Sequence, residues 1–194
     1  MQVSIQFLYE KSINAKHLVR DAKEAIKRMR EFGNRCLTEM PKQGNSVAAF
    51  GFHKVIRKAC KNQETRKELF ENLSCFNPVA SRMKKELDTF RLDMVRATFL
   101  QDNSQKITAA CCSYFNRSMA LSNTGRQVCD KGKTEYLNSF MRGFAGDVLD
   151  LICSGMTPES AKCTSLVLPP ISVTKDVPYV DSFVPALLEL MSSM

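Results

Sequence analysis

Two adjacent cysteines, Cys111 and Cys112, stand at the centre of the apolar run Ile107-Thr108-Ala109-Ala110-Cys111-Cys112-Ser113-Tyr114-Phe115. Neighbouring positions on an α-helix point about 100° apart, so on a helix the two thiols face different neighbours and can be tied to two separate elements. A helix tied on two sides is the hub of a fold. Six further cysteines, Cys36, Cys60, Cys75, Cys129, Cys153 and Cys163, bring the number to eight. None forms a Cys-x-x-Cys, so the spacing of a zinc knuckle or a thioredoxin-type centre is missing, and neither a metal nor another cofactor is expected. Eight free thiols acting as small buried hydrophobes in a reducing compartment are one reading. Four disulfides in an exported protein are the favoured one, because several cysteines fall at or near expected helix ends, where a bridge joins one helix to the next. The short separation of Cys153 and Cys163 makes them the favoured pair, although eight cysteines allow 105 connectivities.

The periodicity is helical throughout. Ala15, Leu18, Ala22, Ala25, Met29, Phe32 and Cys36 recur at three and four residues, which predicts a helix from about Ser12 to Leu37, ended by Pro41. Residues 41–45 read as a loop, and Ser46 as the cap of a second helix, Val47 to Cys60. A third helix, Glu64 to Phe76, lies between Cys60 and Cys75. Asn77-Pro78 signals the start of a fourth, because proline at the first helical position gives up a donor that has no partner there anyway. It carries Ala80, Met83, Leu87, Phe90, Met94 and Ala97 inward to about Leu100. The double-cysteine helix follows Asp102-Asn103-Ser104 and is expected to end at Leu121, before a turn at 122–125. A second break at Lys131-Gly132-Lys133 precedes a helix capped by Thr134 and ending at Cys153.

The expected fold is therefore all-α: a disulfide-stapled bundle of about five to seven helices with an extended C-terminal tail. Residues 1–165 form its cysteine-rich domain. Residues 166–194 form a proline-containing extended segment and a short amphipathic helix bearing Phe183, Val184, Leu187, Leu188 and Met191. No stretch of 18 apolar residues occurs, so no membrane span is expected. Met1 to Glu10 lacks the basic start and apolar run of a secretory leader, so no signal peptide is visible in the chain.

Charge is unevenly placed. Residues 1–100 hold 20 Lys+Arg against 11 Asp+Glu, whereas residues 101–194 hold 8 against 9. The basic N-terminal half either faces an anionic partner or forms a solvated surface of mixed i,i+4 pairs, as in Asp21, Lys23, Glu24, Lys27, Arg28, Arg30 and Glu31. For catalysis, a nucleophile with its base is missing from view. His17 and His53 lie in helices far from any cysteine cluster, and Asp147 and Asp150 flank an apolar helix. No glycine-rich phosphate loop is present. Asn72-Leu73-Ser74 and Asn116-Arg117-Ser118 are glycosylation sequons, which place Asn72 and Asn116 as candidate sugar sites in an exported chain.

The order Cys111-Cys112-Ser113-Tyr114-Phe115, then Cys129, then the run from Phe144 through Asp147 and Asp150 to Cys153, then Cys163, resembles small secreted cysteine-rich helical proteins of arthropods, of the hemolymph glycoprotein type. The likeness covers about Cys36 to Cys163. It implies export and disulfides. That family has no assigned activity, so no functional residue is carried over. The expectation is a secreted, non-enzymatic protein that binds a protein partner or a lipophilic small molecule; the alternative is an intracellular basic adaptor on an anionic surface.

Overall fold

The computed structural model describes residues 15–170 and 183–193, and among these residues the chain is helical with no strand. Its helices are α1 (Ala15–Cys36), α2 (Glu39–Ala59), α3 (Gln63–Ser74), α4 (Ala80–Thr98), α5 (Asn103–Arg126), α6 (Lys131–Ile152), the single turn α7 (Ala161–Thr164) and α8 (Phe183–Ser192). A 3-10 turn at Asn77–Val79 leads into α4, with Pro78 where its missing donor costs nothing. Among the described residues the expected all-α bundle is found, with the single turn α7 added to seven longer helices.

Local chemistry explains the starts. Asn62 Oδ1 accepts from the Thr65 N–H at 2.8 Å while Thr65 Oγ1 accepts from the Asn62 N–H, a reciprocal cap that opens α3. Asp102 caps α5 by accepting from the Ser104 N–H at 2.8 Å, and Asp130 caps α6 by accepting from the Lys133 N–H at 2.9 Å. These backbone hydrogen bonds hold both carboxyls below their ordinary value of 3.8. A carboxyl whose folded-state pKa lies under its unfolded one supports folding at neutral pH, and that support fades as pH falls through 3.8 and below. Thermal melts between pH 5 and pH 3 should therefore show a loss that is smaller in Asp102→Asn/Asp130→Asn, since asparagine caps without titrating.

Three expected boundaries are corrected. Residues 41–45 are not a loop: α2 starts at Glu39, and Pro41 sits in its first turn, where a proline leaves no intrahelical bond unmade. Asn45, 2 % exposed, belongs to this helix and donates to the Met29 carbonyl at 2.8 Å, across the α1–α2 contact. Gly33 on α1 leaves room for the Asn45 amide, which a methyl group there would strike. The supposed turn at 122–125 is helical, α5 continuing to Arg126 because Gly125 packs directly on the buried Phe76 ring. The break at Lys131-Gly132-Lys133 is the first turn of α6, and Thr134 lies inside the helix with its hydroxyl donating to the Asp130 carbonyl.

Side chains of α3, α4, α5 and α6 share one core, in which Leu69, Leu73, Phe76, Val79, Met83, Leu121 and Leu137 pack together. A second core joins α4 and α5 to α8 through Phe90, Met94, Val95, Ala110, Ala186 and Leu190, with Leu166 and Leu168 against it. The tail thus folds back onto the bundle. Lys106, almost fully buried, fastens its end by donating from Nζ to the Ser193 carbonyl at 2.6 Å, a cation where the helix dipole favours one. The extended stretch expected at 171–182 lies outside the described residues.

The glycine at the Phe76 contact gives a sharp test. A Cβ on Gly125 would stand 2.7 Å from Phe76 Cε1, whereas one on Gly132 meets only Asp130 Oδ1 at 3.4 Å. Gly125→Ala should destabilise by about 1–2 kcal/mol even after its helix-propensity gain, while Gly132→Ala should stabilise by up to about 1 kcal/mol. Urea midpoints of the two variants, measured side by side, check the contrast.

Candidate functional site

The cysteines come together much as a hub requires. Cys111 and Cys112 are fully buried in mid-α5, and they diverge: Cys111 bonds Cys153 at the end of α6, and Cys112 bonds Cys163 on α7. Cys75, which caps α3, bonds Cys129 in the α5–α6 connection. The favoured Cys153–Cys163 pair is corrected, because each of the two reaches a different face of α5. The expectation of four bridges is corrected to three. Cys36 and Cys60 are free, the one exposed and the other half-buried. They stand at opposite ends of α2, whose 21 residues span about 30 Å, far beyond disulfide reach.

The Cys60 thiol is not activated by its surroundings. Burial pushes the Cys60 thiol above its ordinary value, and the nearby Arg66 offsets this only in part, so Cys60 is protonated at neutral pH. His53 lies two turns from Cys60 along α2, and the side chain of His17 is outside the described residues. Among the described residues no three His, Cys, Asp or Glu side chains gather as a metal site. The Asp147 and Asp150 side chains are also outside the description.

One buried polar cluster invites a catalytic reading and does not support it. Ser113 Oγ on α5 donates to Asp93 Oδ2 on α4 at 2.6 Å. Arg117 reaches both Glu86 at 2.9 Å and Asp93 at 3.5 Å, and Arg96 stands 3.7 Å from Asp93. Ser113 and Asp93 are only 5 % and 6 % exposed, so substrate has no access to them. The cluster fixes α4 against α5.

The surface that stands out is the outer face of the α1–α2 pair. Residues 40–63 contain no Asp or Glu, yet include Lys42, Lys54, Arg57, Lys58 and Lys61. On α2, Phe50, Lys54, Arg57 and Lys58 recur at helical spacing on one exposed side, with Lys61 just beyond the helix end. Two shallow clefts, each of about 330 Å³, lie there. The first is lined by Phe50, His53, Lys54, Arg57, Lys58 and Lys61; the second by Lys23, Ile26, Lys27, Arg30, Glu31, Asn34 and His53. His53 belongs to both, so the α1 and α2 cations form one continuous field. On α1 the carboxylates partly neutralise it, Lys27 pairing with Glu31 and Arg28 with Glu24. Arg57, Lys58 and Lys61 form no salt bridge among the described residues. Counting charge over a hundred residues hid this face; the missing carboxylates of 40–63 were the signal that locates it.

The two sequon asparagines differ in setting. Asn116 is exposed on α5, while Asn72 on α3 is half-buried and its Nδ2 donates to the Glu68 carbonyl at 2.8 Å. No helix among the described residues is long and apolar enough to cross a membrane. No family model, curated protein or solved structure matches the chain.

Proposed function

We propose that the protein is a secreted, non-enzymatic, disulfide-braced helical protein that binds an anionic partner through the basic face of α1 and α2. The observation that carries the binding role is the carboxylate-free run 40–63, whose cations join Lys23, Lys27 and Arg30 around His53. Three bridges support export, because such bonds persist in oxidising compartments and not in the reducing cytosol. The resemblance to arthropod hemolymph glycoproteins points to the same compartment.

A lipophilic small-molecule ligand is less well supported. Met83, Met94, Phe76 and Phe90, the residue types suited to an apolar cavity, are packed into the two cores. Lysine and arginine line both clefts of the α1–α2 face.

Retention on immobilised heparin, a sulfated polyanion, tests the binding face. The elution should move steeply with salt, and Arg57→Gln/Lys58→Gln/Lys61→Gln should reduce the slope of log K against log salt by roughly one per cation. Lys131→Gln, on the exposed start of α6 where Glu135 already pairs with the lysine, should elute with the parent. Equal elution of parent and triple variant would place the anion site elsewhere.

A further inference from the structure

We propose that the outer face of α2 docks on an anionic lipid surface, with Val47 and Phe50 entering the headgroup layer and Lys54, Arg57, Lys58 and Lys61 held at the lipid charges. This rests on the reading of the α1–α2 face as the binding face and names its partner.

Val47 and Phe50 are 43 % and 59 % exposed and lie one helical turn apart, immediately before the cations on the same side of α2. A partner for this face must therefore satisfy positive charge and cover apolar carbon within a few ångströms. A sulfated glycan or nucleic-acid backbone meets the first demand and leaves Val47 in water. A second copy of the chain, related by a two-fold axis, would set cation against cation. The boundary between headgroups and acyl chains meets both demands, since apolar rings and branches sink below the phosphates while lysine and arginine stems reach up to them. The cations also lie on two neighbouring helices rather than along one line, a two-dimensional field that matches many headgroups of a leaflet at once.

The chain contains no tryptophan, so Phe50→Trp makes a unique reporter at the point of contact. The experiment uses the full oxidised chain and vesicles of phosphatidylcholine with or without phosphatidylserine, read by cosedimentation and by Trp emission. Binding is expected to the phosphatidylserine vesicles alone and to weaken with salt, and the Trp emission to shift to the blue on binding. Arg57→Gln/Lys58→Gln/Lys61→Gln should lower the partition coefficient on the order of 100-fold, about fivefold per cation. Phe50→Ser should lower it about tenfold. Vesicle binding that is unaffected by Phe50→Ser, with no blue shift in Phe50→Trp, would overturn the inference. So would a chain that elutes from heparin with salt but ignores phosphatidylserine vesicles, an outcome that leaves the anionic binding face standing. A chain that ignores both removes the binding face itself.

Discussion

Reducing the three disulfides should unfold the protein at physiological temperature. The bridges close stretches of 54, 42 and 51 residues, and a loop of that size is worth about 4 kcal/mol of chain entropy. Whole domains are stable by only about 5–15 kcal/mol. The bridges are not equivalent, because the Cys111–Cys153 and Cys112–Cys163 loops interleave and nearly coincide. With Cys111–Cys153 made, Cys112–Cys163 closes an effective ring of only some ten residues and contributes roughly 3 kcal/mol. Cys75→Ala/Cys129→Ala should therefore lower the urea midpoint more than Cys112→Ala/Cys163→Ala. Alkylation of the denatured, unreduced protein provides the direct check: two labels, on Cys36 and Cys60, are expected, and eight would show that no bridge forms.

Asp93→Ala should be the most damaging single polar substitution, at about 3 kcal/mol by chemical denaturation. The carboxylate accepts from Ser113 and faces both Arg117 and Arg96, so its removal leaves a buried hydroxyl and two cations without their shared anion. The arginine side chains are 30 % and 34 % exposed and recover part of the loss from water, which keeps the effect at the low end for a buried ion pair. Asp93→Asn keeps an acceptor for Ser113 and should fall between alanine and the parent.

The helices were legible because their burial is one-sided. The stripe Met83, Phe90, Met94 and Ala97 is buried as its three-and-four spacing requires, and Asn77-Pro78 starts α4 where a helix can absorb a proline. Reading failed where a residue that usually breaks helices sits at a position that tolerates it. Pro41 fits a first turn, Gly125 lies on Phe76, and Gly132 follows the strong Asp130 cap. The divergence of Cys111 and Cys112 follows from helix geometry alone, but their partners do not, since spacing along the chain says nothing about which helix end packs on which face. Cys36 and Cys60 stay free because α2 begins at Glu39 and holds them at its opposite ends. The basic face was hidden for a different reason: α1 carries its own carboxylates and α2, past Glu39, does not.

The interleaved pair of bridges also governs what a protease can achieve. Ser154 to Glu159 is a largely exposed stretch between Cys153 and Cys163. A cut there separates the chain into two pieces that Cys112–Cys163 still holds together. Such a nicked molecule should migrate as one species on a denaturing gel and as two only after reductant, and in native buffer without reductant α8 should keep its seat on α4.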